Sequence, residues 1–165
     1  MVNSVKEFDI VLIISNFVAK NGAIWKAIEY RYHSPGILSL AAFIRKHGYN
    51  VSVFDCNLEQ IQEEDFERKF KERYNACQIR YFGFSSTVQT AKTAYRIAEK
   101  IKDKKPHIPI IFGGAHATTM PEDVLKHDFI DFVIRGEGEL PLLALLRNWK
   151  LNEINGLCYK ENNQL

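Results

Sequence analysis

The chain has 165 residues, of which 46% are hydrophobic and 25% are charged, the composition of an ordinary globular domain with room for one sizeable core. A formal net charge of +2 excludes the strongly basic surface of a nucleic-acid binder, and no apolar run is long enough to cross a membrane. Three widely spaced cysteines, Cys56, Cys77 and Cys158, form neither a disulfide framework nor a metal motif, which predicts a cytoplasmic setting.

The first third of the chain predicts a strand, a long connection and a helix. Residues 9–15 form a continuous apolar run, as expected of a central strand that is covered on both faces. Residues 16–33 show no clear period, and so long a connection in a compact domain is usually functional or mobile. A helix follows, with Ser34 at its N-cap, Pro35 in its first turn and Gly48 at its end.

The middle of the chain repeats the order of strand and helix twice. Residues 50–55 predict a second strand, and the charged stretch after it predicts a helix that buries Phe66, Phe70 and Tyr74 on one face. Residues 79–85 predict a third strand, which ends in Ser85-Ser86-Thr87. The helix that follows is predicted to bury one face and to expose a lysine-rich one; the buried positions are Ala91, Ala94, Ala98 and Ile101.

The fourth and fifth predicted strands both end in glycines. The apolar run over 108–113 stops at Gly113-Gly114, which predicts a buried parallel strand followed by a loop. Two residues without a Cβ let a ligand approach the backbone closely, although a tight turn without a ligand would need them as well. A short helix over 121–127 leads to a strand over 130–134, and a leucine-rich helix over 141–149 comes next.

This alternation predicts an α/β fold with parallel strands joined by right-handed crossovers. The simplest arrangement is a flavodoxin-like, doubly wound five-stranded sheet of order 2-1-3-4-5 in a Rossmann-like three-layer sandwich. Residues 154–160 predict one more strand, and 161–164 predict the turn of a hairpin, so we expect the chain to be the front end of a longer polypeptide.

Four strand ends bring small or polar residues to one rim of this sheet: Ser15-Asn16, Ser85-Ser86-Thr87, Gly113-Gly114-Ala115-His116 and Gly136-Glu137-Gly138-Glu139. The usual occupants of such a rim fit poorly. No dinucleotide fingerprint follows the first strand, and the sequence contains no phosphate-binding P-loop. Serine stands at the ends of strands one and three, where a receiver domain needs acidic residues. The Asn16-Phe17-Val18 stretch is unlike a flavin loop, and neither a nucleophile relay nor metal-ligand spacing is visible.

Three motifs, in the right order along nearly the whole chain, resemble the cobalamin-binding domain that precedes a radical S-adenosylmethionine domain. They are the Pro-Gly-Ile-Leu-Ser-Leu-Ala-Ala-Phe-Ile-Arg-Lys-His-Gly run over 35–48, Gly-Gly-Ala-His-Ala-Thr over 113–118 and Ile-Asp-Phe-Val-Ile-Arg-Gly-Glu-Gly-Glu over 130–139. The subgroup that the chain resembles includes the anaerobic magnesium-protoporphyrin IX monomethyl ester oxidative cyclase and cobalamin-dependent methyltransferases. The alternatives are a flavodoxin-like docking domain without a cofactor and a small nucleotide-binding domain.

The resemblance implies a cofactor position and a set of contacts. The corrin ring of cobalamin would lie across the strand ends, and its dimethylbenzimidazole tail would extend between the sheet and the helices. Gly113 and Gly114 would make room for the tail, and the hydroxyls of Ser85 and Thr87 would hydrogen-bond it. The other implied contacts, to the nucleotide or to the amide side chains of the ring, are Asn16, Ser86, Ala115, His116, Gly136 and Glu137. For Glu137, favourable charge at a helix N-terminus is an equally good interpretation.

The chain departs from the resemblance in two places. It lacks the Cys-x-x-x-Cys-x-x-Cys motif of the catalytic half, so residues 1–150 are predicted to be the cobalamin-binding domain and 151–165 the start of a linker or hairpin to a radical S-adenosylmethionine domain. The 4Fe–4S cluster, S-adenosylmethionine and catalysis would belong to that domain, with no role for nucleic acid or membrane. The stretch over 31–36 keeps His33 and Gly36 of a cobalt-ligating signature but has Arg31 for its aspartate, so we expect no histidine ligand to cobalt.

Overall fold

The computed structural model describes residues 5–15 and 34–160, which form a three-layer α/β sandwich around one sheet. Its strands are β1 (Lys6–Ile14), β2 (Val51–Asp55), β3 (Cys77–Ser85), β4 (Ile110–Gly113), β5 (Phe132–Ile134) and β6 (Leu157–Tyr159). Its helices are α1 (Pro35–Lys46), α2 (Glu63–Tyr74), α3 (Ala91–Lys104), α4 (Ala115–Thr119), α5 (Pro121–Leu125) and α6 (Glu139–Leu146).

The sheet has the order β2-β1-β3-β4-β5-β6, which confirms the predicted 2-1-3-4-5 arrangement and adds a strand at its edge. The first five strands run parallel, so their carboxyl ends meet along one rim. β6 runs antiparallel to β5, with Tyr159 opposite Phe132, and it occupies the second half of the strand predicted over 154–160. The predicted hairpin turn over 161–164 lies outside the described residues.

Side chains alternate across the sheet and build a separate core on each face. Val11 and Ile13 of β1 belong to the core beneath α2 and α3, whereas Ile10 and Leu12 belong to the core beneath α1 and α6. On the first face, Phe66, Phe70 and Tyr74 are buried as predicted and surround Phe54 of β2; the ring centroids of Phe54 and Phe66 lie 5.7 Å apart. The second face carries the smaller core, and the candidate site opens into it.

The ends of helices α1 and α6 lie at residues whose chemistry favours a helix end, although α6 differs from its predicted bounds. α1 begins at Pro35 and ends just before Gly48, whose φ of +88° completes the helix terminus as predicted. α6 begins at Glu139, earlier than predicted, because Pro141 is tolerated in a first turn. It ends before Asn148, which adopts a φ of +57°. None of the helices in the two described ranges combines the length and apolar character that crossing a membrane requires.

The sequence prediction missed α4. The residues after Gly114 were predicted as a loop, yet Ala115–Thr119 form a short helix directly after the strand. The backbone amide of His116 donates to the carbonyl of Ser86, which ties this helix to the end of β3. His116 therefore belongs to a helix and not to an open loop.

Candidate functional site

A cleft of about 160 Å³ opens at the carboxyl ends of the strands, between the sheet and helices α1 and α6. We call it the central cleft. Its floor comes from β1, β3, β4 and β5, and its walls come from α1 and from the 136–142 segment, which includes the start of α6. It thus lies in the crevice beyond the strand ends where open α/β sheets bind ligands.

The depth of the central cleft depends on Gly83 in the middle of β3. This glycine lies opposite Leu12 of β1 and Ile111 of β4, on the face covered by α1 and α6. A Cβ at this position would lie 2.8 Å from Cδ2 of Leu12 and 3.1 Å from Cδ1 of Ile10. The sequence analysis did not select Gly83, although a lone glycine inside an apolar strand is a known signal of close approach.

The wall formed by α1 also depends on a glycine. Gly36, in the first turn, lines the cleft one helical turn before Leu40, so the two residues share a helix face. A Cβ at Gly36 would meet no other atom within 4 Å, which means that the space beside it is open. Leu40 packs close to Gly138, where a Cβ would lie 3.6 Å from Cδ1 of Leu40. Neither Gly36 nor Leu40 was among the predicted site residues.

The paired glycines after β4 do two different things. Gly113 lines the cleft, and a Cβ there would make only an ordinary contact, 3.7 Å from the carbonyl oxygen of Ile134. Gly114 has φ +90° and ψ −176°, a conformation that is essentially restricted to glycine. A Cβ on Gly114 would lie 2.8 Å from both Oγ of Ser85 and the carbonyl oxygen of Ser86. Gly114 is therefore required by the turn into α4 as well as by the cleft.

Polar groups reach the central cleft from three places. Ser85 presents its hydroxyl, and no hydrogen bond joins that hydroxyl to another residue in the described ranges. Gly136 lines the cleft while its amide donates to Oγ1 of Thr118 at 2.9 Å. Glu137 and Glu139 border it from the start of α6, where a negative charge is favourable, and Glu139 accepts a 3.5 Å hydrogen bond from Ser39.

The structure does not bring every predicted contact to the cleft. Ser86 is fully buried, and its Oγ has no partner among the described atoms. Nε2 of His116 and the hydroxyl of Tyr95 lie 2.8 Å apart, and Tyr95 packs against the core beneath α3 and not into the cleft. Thr87 pairs its hydroxyl with Thr90 in the turn before α3, and Ala115 is exposed on α4. Asn16 lies outside the described residues.

The titratable side chains described near the rim include a thiol and a phenol whose pKa values are raised by burial. Cys56 follows β2, and burial raises the pKa of its thiol to about 12, so the thiol stays protonated and unreactive. Burial also raises the pKa of the Tyr95 phenol. Within 5–15 and 34–160, no group of three histidine, cysteine or acidic side chains comes together to hold a metal ion. What remains is a narrow, glycine-lined and largely apolar slot that suits a flat ring inserted between sheet and helices.

Two curated relatives align with most of the chain. An uncharacterised methyltransferase of Pyrococcus horikoshii is 30% identical over 135 residues, which cover 79% of this chain and 28% of that protein. The anaerobic magnesium-protoporphyrin IX monomethyl ester cyclase of Synechocystis is 25% identical over 135 residues, which cover 79% of this chain and 27% of the cyclase. The chain thus spans less than a third of the length of these curated relatives.

Two solved structures share the fold. The cobalamin-dependent S-adenosylmethionine radical enzyme OxsB, with aqua-cobalamin and S-adenosylmethionine bound, superimposes with a TM-score of 0.75 at 16% identity, over 98% of this chain and 22% of its own. The radical S-adenosylmethionine methyltransferase TsrM from Kitasatospora setae, with cobalamin and a 4Fe–4S cluster bound, gives a TM-score of 0.67 at 18% identity, over 95% of this chain and 28% of its own.

A match to a family model identifies the family of the chain. The model of the B12 binding domain matches residues 23–146, which include every described residue that lines the central cleft from α1 onwards. The predicted resemblance is confirmed at this level, and the chain belongs to the B12-binding domain family.

Proposed function

We propose that this chain binds cobalamin, with the nucleotide tail in the central cleft and the corrin ring across the strand ends. The observation that carries the proposal is the shape and lining of the cleft. It is a slot between the sheet and helices α1 and α6, lined mostly by glycines and aliphatic side chains, and it opens at the rim. Ligand sites of this kind are concave, mostly apolar and supplied with a few placed polar groups.

The residues that line the cleft have different proposed roles in holding cobalamin. Gly36, Gly83 and Gly113 leave room for the tail, and the hydroxyl of Ser85, which has no partner among the described residues, can hydrogen-bond a ring nitrogen. Gly136 and Glu137 border the opening, where a carboxylate can accept hydrogen bonds from the amide side chains of the ring.

The remaining residues that were predicted to contact cobalamin have other proposed roles. Thr87 and Ala115 are exposed at the strand ends, so they are candidates for contact with the ring. Ser86 and His116 would instead support the loop and α4 from behind, since neither lines the cleft. Asn16 stays a prediction from the resemblance.

We further propose that the chain works as the cobalamin-binding module of a longer radical S-adenosylmethionine enzyme in the cytoplasm, either a methyltransferase or an oxidative cyclase. The names and lengths of its relatives support this proposal. Residues 1–150 would form the binding domain, and 151–165 would lead through β6 towards the catalytic domain. Bound cobalamin would supply a cobalt centre for methyl or electron transfer, which the protein orients and shields from water.

Retention of cobalamin tests the proposal. We expect the purified chain, mixed with hydroxocobalamin and desalted, to keep visible absorbance equivalent to about one cobalamin per chain, because its fold offers one such cleft. Parallel samples with flavin mononucleotide and adenosine monophosphate address the alternative of a nucleotide-binding domain.

Each outcome assigns the chain to one class. Retained cobalamin colour with no retained nucleotide supports the proposal. Colour that elutes entirely with the small molecules, from protein that circular dichroism shows to be folded, contradicts it. A retained nucleotide then favours a nucleotide-binding domain, and no retained ligand favours a docking domain without a cofactor.

A further inference from the structure

We infer that the central cleft selects among cobamides by their lower base, taking an apolar benzimidazole and discriminating against a purine. This inference rests on the proposed function. Cobalamin carries dimethylbenzimidazole, a flat bicyclic base with two methyl groups and a single free ring nitrogen once it leaves the cobalt. An adenine in the same position carries an exocyclic amine and several ring nitrogens, all of which are hydrated in water.

The interior of the cleft offers an apolar surface to the base. Apart from glycines and Glu139 at the opening, the side chains that reach it from β1, β4, β5, α1 and α6 are aliphatic: Ile10, Leu12, Ile37, Leu40, Ile111, Ile134 and Leu142. All of these aliphatic residues except the half-buried Leu40 are buried in the same core. Two methyl groups of a benzimidazole would gain contacts here, whereas polar edge atoms would lose their water without replacement.

The backbone of the floor is already hydrogen-bonded. β3 lies between β1 and β4, and Gly83 is paired with Leu12 on one side and Ile111 on the other. The amide of Ser86 donates to the carbonyl of Gly113 at 3.0 Å, which closes the end of this ladder. A strand with neighbours on both sides has few free donors or acceptors for a base that lies against its face.

Among the described residues, few polar side chains line the cleft. Ser85 supplies one hydroxyl, which is enough for the single free nitrogen of a benzimidazole. Glu137 and Glu139 belong to the segment at the opening; Glu137 is exposed to water and Glu139 is hydrogen-bonded to Ser39. An adenine seated in the cleft would therefore leave most of its polar atoms unpaired. A site that leaves polar groups buried without partners is expected to lose about 10- to 100-fold in affinity.

Three ligands measure this selectivity on the intact chain. Dissociation constants are determined for cobalamin, for the cobamide that carries adenine as its lower base, and for cobinamide, which has no nucleotide. We expect cobalamin to bind most tightly and the adenine cobamide at least about 10-fold more weakly. Failure to bind any of the three would contradict the proposed function itself. Equal affinity for cobalamin and the adenine cobamide would overturn only the selectivity. Equal affinity for cobalamin and cobinamide would place the base outside the cleft, and would overturn both the selectivity and the proposed position of the tail while cobalamin binding itself stands.

A matched pair of variants tests the source of the selectivity. Leu40 is half-buried on the cleft wall, so Leu40→Gln brings an amide to the cleft at a position that tolerates polarity. Leu38, two residues earlier on α1, is 42% exposed and does not line the cleft. We expect Leu40→Gln to reduce the ratio of the dissociation constants of the adenine cobamide and cobalamin by several-fold. We expect Leu38→Gln to leave this ratio unchanged. Unchanged ratios in both variants, or equal changes in both, would overturn the assignment of selectivity to the cleft lining.

Discussion

Gly36→Leu should abolish or strongly reduce cobalamin retention without loss of stability. A Cβ at this position would meet no atom of the described residues within 4 Å, so the described fold has room for the start of a side chain there. The side chain would share a helix face with Leu40 and enter the space proposed for the tail. Overfilling a packed site costs about 1–3 kcal/mol, which corresponds to a loss of about 5- to 150-fold in affinity.

The stability of the same variant separates binding from folding. Replacing a glycine inside a helix with leucine is expected to add up to about 1 kcal/mol to the free energy of unfolding. Ala42→Leu, on the exposed side of α1 and away from the cleft, is the control and should retain cobalamin normally. Thermal unfolding and desalting of the three proteins check this prediction. Normal cobalamin retention by a folded Gly36→Leu variant would show that the tail lies elsewhere.

Gly114→Leu should have the opposite effect and destabilise the protein before it affects binding. Any side chain at this position must adopt a conformation that is essentially restricted to glycine, at φ +90° and ψ −176°. Its Cβ would also collide with the backbone of Ser86 at 2.8 Å, and this backbone is held by hydrogen bonds to Gly113 and His116. The combined loss in the free energy of unfolding is expected to be about 2–6 kcal/mol.

Gly48→Leu provides the control for this second variant. Gly48 has a similar φ of +88°, but a Cβ there would meet nothing within 4 Å. It should therefore lose only about 1–2 kcal/mol, the cost of the left-handed backbone. Urea unfolding of both variants measures the difference. Equal losses in the two proteins would mean that the contact with Ser86 does not constrain Gly114.

The fold could be predicted from the sequence because each of its elements has a local signal. The apolar run over 9–15 and the spacing of Phe66, Phe70 and Tyr74 each determine an element and a face. Alternation of strands and helices then restricts the topology, since crossovers between parallel strands are right-handed. The sixth strand was also visible over 154–160, although only pairing with β5 shows that it runs antiparallel.

The candidate site could be predicted only in part. Ser85 and Gly113 end strands, and Gly114, Gly136 and Glu137 follow strands. Residues at parallel strand ends meet at one rim, so the structure brings all five together. Sequence cannot tell which side of the sheet each residue faces beyond the strand end, and this is why Ser86 and His116 were grouped with them. Gly83 was missed because its role comes from the neighbouring strand β1, and Gly36 was assigned only to the cobalt-ligating signature because the open space beside it is visible only in the folded chain.

The position of the lower base in bound cobalamin tests directly whether the nucleotide tail lies in the central cleft. Nuclear Overhauser contacts between the aromatic protons of dimethylbenzimidazole and labelled isoleucine and leucine methyl groups measure this position. We expect contacts to Ile37, Leu40 and Leu142, which line the central cleft on α1 and α6. Contacts instead to Ile97 and Ile101 of α3, on the opposite face of the sheet, would contradict the proposed position of the tail.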